Sequence, residues 1–203
     1  DRALASGDDG ASAIAVGNEA NDLNRAGRWS EALERYEEQE LLAESAGISR
    51  AIAAAVGGQA SVQHKLGRPA TALELYQRQA SMLAEYGHER DIPLCLGNQA
   101  QLLMEQGNLT VALELRRQQT IRGREVSDID SVAAGLQGQA TITLGLGDPE
   151  QARSLSDEAL QLFSGLGNRP AVATTLINRG SILQAVGDVA GALSNLEQAE
   201  VIC

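Results

Sequence analysis

Gly97-Asn98-Gln99-Ala100 is the stretch on which the fold turns, because variants of it recur at a fixed interval. Gly17-Asn18-Glu19-Ala20, Gly57-Gly58-Gln59-Ala60, Gln137-Gly138-Gln139-Ala140 and Ile177-Asn178-Arg179-Gly180 stand in matching places, each starting 40 residues after the one before. Outward from each tetrad, two further columns stay in register. Gly27, Gly67, Gly107, Gly147 and Gly187 come ten residues after the starts, and Ala32, Ala72, Ala112, Ala152 and Ala192 five residues beyond those. An internal period of about 34 to 47 residues marks helical-hairpin solenoids, in which each unit folds as two antiparallel helices and stacking buries their apolar faces.

The expected fold is therefore all-α, with residues 1–203 forming a single solenoid of helix-turn-helix hairpins. Repeats start near residues 17, 57, 97, 137 and 177, the last one incomplete. Residues 1–16 read as the end of a preceding repeat and the start of a first helix, because Gly7 lies 40 before Gly47 and Ala13 to Val16 match Ala53 to Val56. First helices are expected at about 9–26, 49–66, 90–106, 129–146 and 170–186, and second helices at about 30–45, 69–86, 109–126, 149–165 and 189–203.

The glycine column falls where a helix must stop and reverse, and glycine accepts the left-handed conformation that ends helices. Gly47, Gly87 and Gly167 close the second helices in the same way, with Ser127 replacing them once. Start signals follow. Asp148-Pro149-Glu150-Gln151 offers an N-cap acid, a first-turn proline and a Gln able to complete a capping box, while Ser30 and Pro69 play similar parts. Pro93 and Pro170 fall in the opening turns of first helices. Val16, Val56, Leu96, Leu136 and Leu176 mark the buried side of the first helices, and the Ala column marks the close crossing within each hairpin.

Composition narrows the function classes. The formal charge of −11 opposes a nucleic-acid backbone, and no Lys or Arg run relieves it. Cys95 and Cys203 form neither a Cys-x-x-Cys pair nor a disulfide framework, and His64 and His88 have no metal spacing, so no metal or cofactor is expected. The longest apolar run, Ala51 to Val56, is far short of the roughly 20 residues that span a bilayer. Without a signal peptide before the first repeat, a cytoplasmic protein is expected. Lys65 is the one lysine among 16 basic residues, which points to a GC-rich bacterial genome.

At this point the sequence resembles the tetratricopeptide repeat family in its longer form of about 40 residues, as in kinesin light chains and bacterial long-repeat proteins. The resemblance rests on the small residues Ala20, Ala60, Ala100, Ala140 and Gly180, the turn glycines, the Ala column, and the aromatics Tyr36 and Tyr76 on second helices. It covers nearly the whole chain. It departs from the family at Arg116 and Ser156, which stand in the aromatic position, and at Thr143, where other repeats carry Leu23, Leu103 and Leu183; looser packing is expected in those hairpins. The resemblance implies a right-handed superhelix whose first helices line a concave groove.

If so, Asn18, Asn21, Asn24, Arg25, His64, Lys65, Asn98, Gln101, Asn178 and Gln184 point into the groove. An amide both donates and accepts, so a row of them suits the backbone of an extended peptide, although solvated helix surface is an equal reading. The alternation Asn18, Gly58, Asn98, Gly138, Asn178 reads as a ladder for alternate ligand residues or, more simply, as chance. Leu94, Ala134 and Gly138 leave the family's clamp for a C-terminal carboxylate incomplete. Glu34, Glu37, Glu38, Glu40 and Glu44 form an acidic second helix, read as a solvated convex face before a docking patch. Gly145-Leu146-Gly147 and Gly165-Leu166-Gly167 are helix ends rather than phosphate loops.

No nucleophile, base or paired-carboxylate constellation stands out, so an enzyme is disfavoured. The expectation is a protein-binding adaptor working through its groove or convex face, with a cytoskeletal filament as a conceivable partner. The other reading is the regulatory sensor arm of a larger signalling ATPase or transcription regulator. Leu193, Leu196, Val201 and Ile202 leave an apolar face on the last helix, which predicts either continuation of the chain or self-association.

Overall fold

The computed structural model describes residues 2–202, with side chains from residue 9 onward. Ten α-helices and one short 3-10 turn, Glu89–Asp91, make up the described secondary structure, and no strand occurs among the described residues. The helices are α1 Arg2–Arg25, α2 Trp29–Ala46, α3 Ser49–Lys65, α4 Pro69–Glu85, α5 Ile92–Glu105, α6 Leu109–Glu125, α7 Ile129–Gly145, α8 Pro149–Gly165, α9 Arg169–Ala185 and α10 Val189–Ile202. The chain divides into two compact units, Asp1–Cys95 and Leu96–Cys203. In the first, α1 packs on α2, α2 on α3 and α3 on α4; in the second, each helix from α6 to α10 packs on the next. This is the all-α repeat solenoid that the 40-residue period predicts.

The helix ends follow from local chemistry. At the first hairpin the Gly27 N–H donates to the Asn24 carbonyl at 3.2 Å and the Arg28 N–H to the Leu23 carbonyl at 2.9 Å, with Gly27 at φ 76°. That double bond satisfies carbonyls the helix leaves open, and it requires the left-handed residue between them. The same pair of bonds recurs at Ser127, where Ser127 N reaches Arg124 O at 3.2 Å and Asp128 N reaches Gly123 O at 2.8 Å. Ser127 is thereby held at φ 58°, the one positive φ outside glycine among the described residues.

From α7 onward the helix starts use side-chain caps, whereas Asn108 before α6 makes none. Asp128, Asp148, Asn168 and Asp188 accept from the backbone N–H groups of Ser131, Gln151, Ala171 and Gly191 at 3.1, 3.0, 3.2 and 2.9 Å. Two expectations need correction. Ser30 is not a cap: α2 begins at Trp29 after Arg28, which makes no cap bond and pairs with Glu31 across the first turn. Nor does the chain break at Gly7, since α1 runs through it from Arg2 to Arg25. A glycine is tolerated inside a helix at modest cost, and the carbonyl bonds that force the turn at Gly47 are what distinguish that site.

Small side chains occupy the crossings. Ala32, Ala72, Ala112 and Ala152 are fully buried and Ala192 nearly so. Ala20 clusters with Ala32, and Ala140 with Ala152, so within these hairpins methyl meets methyl. Val56, Leu136 and Leu176 are buried beside them, whereas Val16 and Leu96 are half-buried.

Because a non-glycine residue in the left-handed region costs about 1 to 2 kcal/mol, Ser127→Gly should raise stability by about 1 kcal/mol in urea unfolding. Gly147→Ala, made at φ 89°, should lower it by a similar amount.

Candidate functional site

Glycines lacking a Cβ admit the side chains that pack at the helix junctions. In the first unit a Cβ on Gly17 or Gly57 would lie 2.3 Å from the amide nitrogen of Gln39 or Gln79, and in the second a Cβ on Gly97 would lie 2.7 Å from that of Gln119. A second such column follows one residue later. Tyr36 lies over Gly58, and Arg116 lies over Gly138, each 2.3 Å from where a Cβ would stand.

Tyr36 and Arg116 make equivalent bonds as well as equivalent contacts. The Tyr36 hydroxyl donates to Asn21 Oδ1 at 2.8 Å, and Arg116 Nη2 donates to Gln101 Oε1 at 3.2 Å; both partners lie 15 residues earlier. Tyr76 uses Ser61, also 15 earlier. Arg116 therefore fills the aromatic seat instead of loosening it, which corrects the expectation for that hairpin. Ser156 and Thr143 are also buried, so small polar groups fill the other two variant positions.

The expected groove residues separate by what already holds them. In the first unit Asn18 is exposed on α1, Asn21 takes the Tyr36 hydroxyl, and Asn24 Oδ1 accepts from Lys65 Nζ at 2.9 Å. Arg25 is exposed and lies 3.4 Å from Asp22, and His64 is half-buried on α3. In the second unit Asn98 is half-buried on α5, Gln101 bridges Arg116 and Glu105, and Gln184 is exposed on α9. Asn178 joins Gln101 in a pocket of about 460 Å³, which Gln137, Gly138 and Thr141 of α7, Thr174 of α9 and Arg116 also line. Sequence reasoning missed Arg116, Gln137, Thr141 and Thr174. The signal it held was an arginine in an aromatic column, 22 residues before a glycine.

Burial sets the electrostatics of this seat. It raises the Tyr36 hydroxyl above its usual range and pushes that of Tyr76 up to about 12. It lowers the Arg116 guanidinium, with no neighbouring charge acting against it. The acidic helix α2 is less uniform than its composition suggests. Glu38 pairs with Arg35, and Glu40 is half-buried, accepting from Gln59 at 2.6 Å and Arg78 at 2.5 Å, while Glu34, Glu37 and Glu44 stay exposed. On α10, Val189, Leu193, Leu196 and Val201 are exposed and Ile202 is half-buried. Among the described residues no cluster of three or more His, Cys, Asp or Glu side chains could hold a metal, and no helix is long and apolar enough to cross a membrane.

Two family models for the tetratricopeptide repeat match the sequence, over residues 131–200 and 48–78. Those two stretches carry tetratricopeptide repeats. Comparison with the curated proteins finds no match. Among solved structures, BtubC (BKLC) from P. vanneervenii superposes with a TM-score of 0.82 at 19% identity, covering 96% of this chain and 80% of that one. A putative kinesin light chain from Podospora anserina with nearly identical TPR-like repeats gives 0.73 at 19% identity, covering 95% of each chain. A Rap protein complexed with competence and sporulation factor gives 0.78 at 14% identity, covering 91% of this chain and 52% of that one. A signal transduction ATPase with numerous domains and a tetratricopeptide repeat sensor, from Pyrococcus horikoshii, gives 0.74 at 11% identity, covering 86% of this chain and 27% of that one. At these identities the likeness is one of fold, and the repeats resemble those of kinesin light chains.

In tetratricopeptide terms, the glycine beneath the aromatic seat is a packing requirement. Gly58→Ala should destabilise, because overpacking against the buried Tyr36 ring costs roughly 1 to 3 kcal/mol and outweighs the helix-propensity gain of up to about 1. Gly165→Ala, with nothing within 4 Å, should show the gain alone. Chemical denaturation of the two variants checks the sign.

Alkaline stability checks the seat itself. An unfolded tyrosine ionises near pH 10, and Tyr76 stays neutral in the fold to about 12. Its raised value therefore gives full support below pH 10, lost as pH climbs from there towards 12. Tyr76→Phe should flatten the fall of stability over that interval.

Proposed function

We propose that this chain is a non-catalytic adaptor that holds an extended segment of a partner protein against the face lined by its first helices. The observation that carries this reading is the pocket in the second unit. There three successive first helices present Gln101, Gln137 and Asn178 around a cavity of about 460 Å³, a size suited to side chains of a bound peptide. Amides at such spacing can pair with peptide N–H and C=O groups in turn, each neutral bond contributing about 0.5 to 1.5 kcal/mol net. The pocket is only half-enclosed, which suits recognition better than chemistry that depends on excluding water.

The resemblance to kinesin-light-chain repeats favours a filament-forming cytoskeletal protein as the partner, and co-sedimentation with polymerised tubulin is the direct assay. A sensor arm of a larger signalling protein is the second reading, favoured by the fold likeness to the repeat sensor of the Pyrococcus horikoshii ATPase. A further proposal is that the exposed Val189, Leu193 and Val201 of α10 allow self-association. Concentration-dependent sedimentation that Leu193→Glu abolishes would support it.

For any partner recovered by affinity capture, Gln137→Ala with Asn178→Ala should weaken binding by about 1 to 3 kcal/mol and leave the melting temperature nearly unchanged. Reversing Glu34, Glu37 and Glu44 to Lys tests the exposed side of α2 instead; Glu40 is unsuitable because it ties α2 to its neighbours. Full affinity in the amide variant, with salt-dependent loss in the Lys variant, would move the interface to α2.

A further inference from the structure

Arg116 is a cation without an anion. Its two acceptors are neutral amides, Gln119 Oε1 at 2.9 Å from Nη1 and Gln101 Oε1 at 3.2 Å from Nη2. Its Nε is buried and without a hydrogen-bond partner, pressed against Gly138. A guanidinium carries five N–H groups, so two bonds leave one hydrogen on each Nη nitrogen for an acceptor in the pocket that Arg116 lines. Buried charges in proteins are ordinarily paired, because removal from water is costly unless an opposite charge offsets it. This chain has 27 acidic residues against 16 basic ones, yet Arg116 meets two glutamines. The nearest acid along its bonds, Glu105, is reached only through the side chain of Gln101.

We infer that the pocket around Arg116 takes the carboxylate of an aspartate or glutamate within an extended peptide segment, an inference that rests on the groove-binding reading above. Charge complementarity selects the occupant. The guanidinium offers paired N–H donors, the geometry a carboxylate accepts at both oxygens, and such bonds are about twice as strong as neutral ones. An internal residue fits better than a chain end. Gln101 of α5, Gln137 of α7 and Asn178 of α9 supply amides around the cation, so the backbone has partners both before and after the acidic residue. Thr141 and Thr174 add hydroxyl groups to the same pocket. The structural role of the seat does not require the charge, since Tyr36 fills the equivalent position over Gly58 with a neutral ring.

That equivalence provides the variant. Arg116→Tyr recreates the Tyr36–Gly58 contact over Gly138 and is expected to fold, which a circular-dichroism melt verifies. Linear 12-residue peptides displayed on phage are selected against the full chain and against Arg116→Tyr. The expected result is an Asp or Glu at one fixed position in peptides selected by the natural chain and its absence in those selected by the variant. Replacing that residue by Asn or Gln should weaken binding to the natural chain roughly tenfold or more and leave binding to the variant unchanged.

Peptides without a fixed acid, or with the same acid for both proteins, would overturn the pocket assignment while leaving groove binding intact. If neither protein selects peptides, the groove-binding reading fails. The pocket is then judged by titrating N-acetylglutamate methylamide, N-acetylglutamine methylamide and inorganic phosphate while following the Arg116 Nε–Hε resonance. Saturable binding of the glutamate probe alone upholds the carboxylate site. Equal response to glutamate and glutamine, or preference for phosphate, overturns it.

Discussion

Two of the junctions between successive hairpins depend on one kind of contact, a large side chain of one helix laid over a bare Cα of the next. Tyr36 on Gly58 and Arg116 on Gly138 bring α2 to α3 and α6 to α7 closer than any Cβ would allow. Dispersion falls off steeply with separation, so this approach is what lets sparse and mostly small side chains reach interior packing density. A chain with 2% aromatic residues has few other ways to fill a core. The volumes trade across the junction: by register Asn178 stands opposite Ser156, a small residue that leaves room for an amide. The alternation of Asn and Gly along the first helices thus has a steric cause at Gly58 and Gly138, where it had read as chance or as a ligand ladder.

A second constraint follows from the same closeness. Side chains trapped at the junction must find partners within reach, and they do so in repeating ways. The residue in the aromatic seat reaches back 15 residues, to Asn21, Ser61 or Gln101. A glutamine of the next first helix reaches back 19, Gln59 to Glu40 and Gln139 to Thr120 at 2.6 and 2.8 Å. These bonds lock the register of the stack, because an unpaired buried amide would cost more than the bond itself contributes. Several polar residues of the first-helix face, Asn21 and Gln101 among them, are structural for this reason before they are anything else.

The same division explains what was legible in the sequence. The turns were, since Gly27 or Gly147 answers a requirement set within six residues, and so were the Ala crossings, where one column of methyls repeats. Asp128, Asn168 and Asp188 were equally local and could have been read as caps by the rule that identified Asp148. The site was not legible to the same degree. Whether Asn24 is a ligand group or a partner of Lys65 depends on a helix 41 residues away. Arg116 showed only as a departure from an aromatic column. Its meaning required knowing that Gly138 lies beneath it and that no carboxylate lies beside it.

The chain's strong negative charge sharpens that last point. In a protein of net charge −11, an arginine on the surface is readily matched, as Arg35, Arg50, Arg124 and Arg179 all are. Holding one unmatched in a half-enclosed pocket means that the overall field repels acidic ligands at a distance while the pocket attracts them at contact. The two ranges respond differently to salt. Screening weakens the long-range repulsion over roughly 8 to 10 Å, but it hardly touches a charge pair already out of water. An acidic segment should therefore reach this groove faster as ionic strength rises and, once seated, leave at a nearly constant rate. That behaviour is opposite to a surface-steered complex, whose association slows as salt is added.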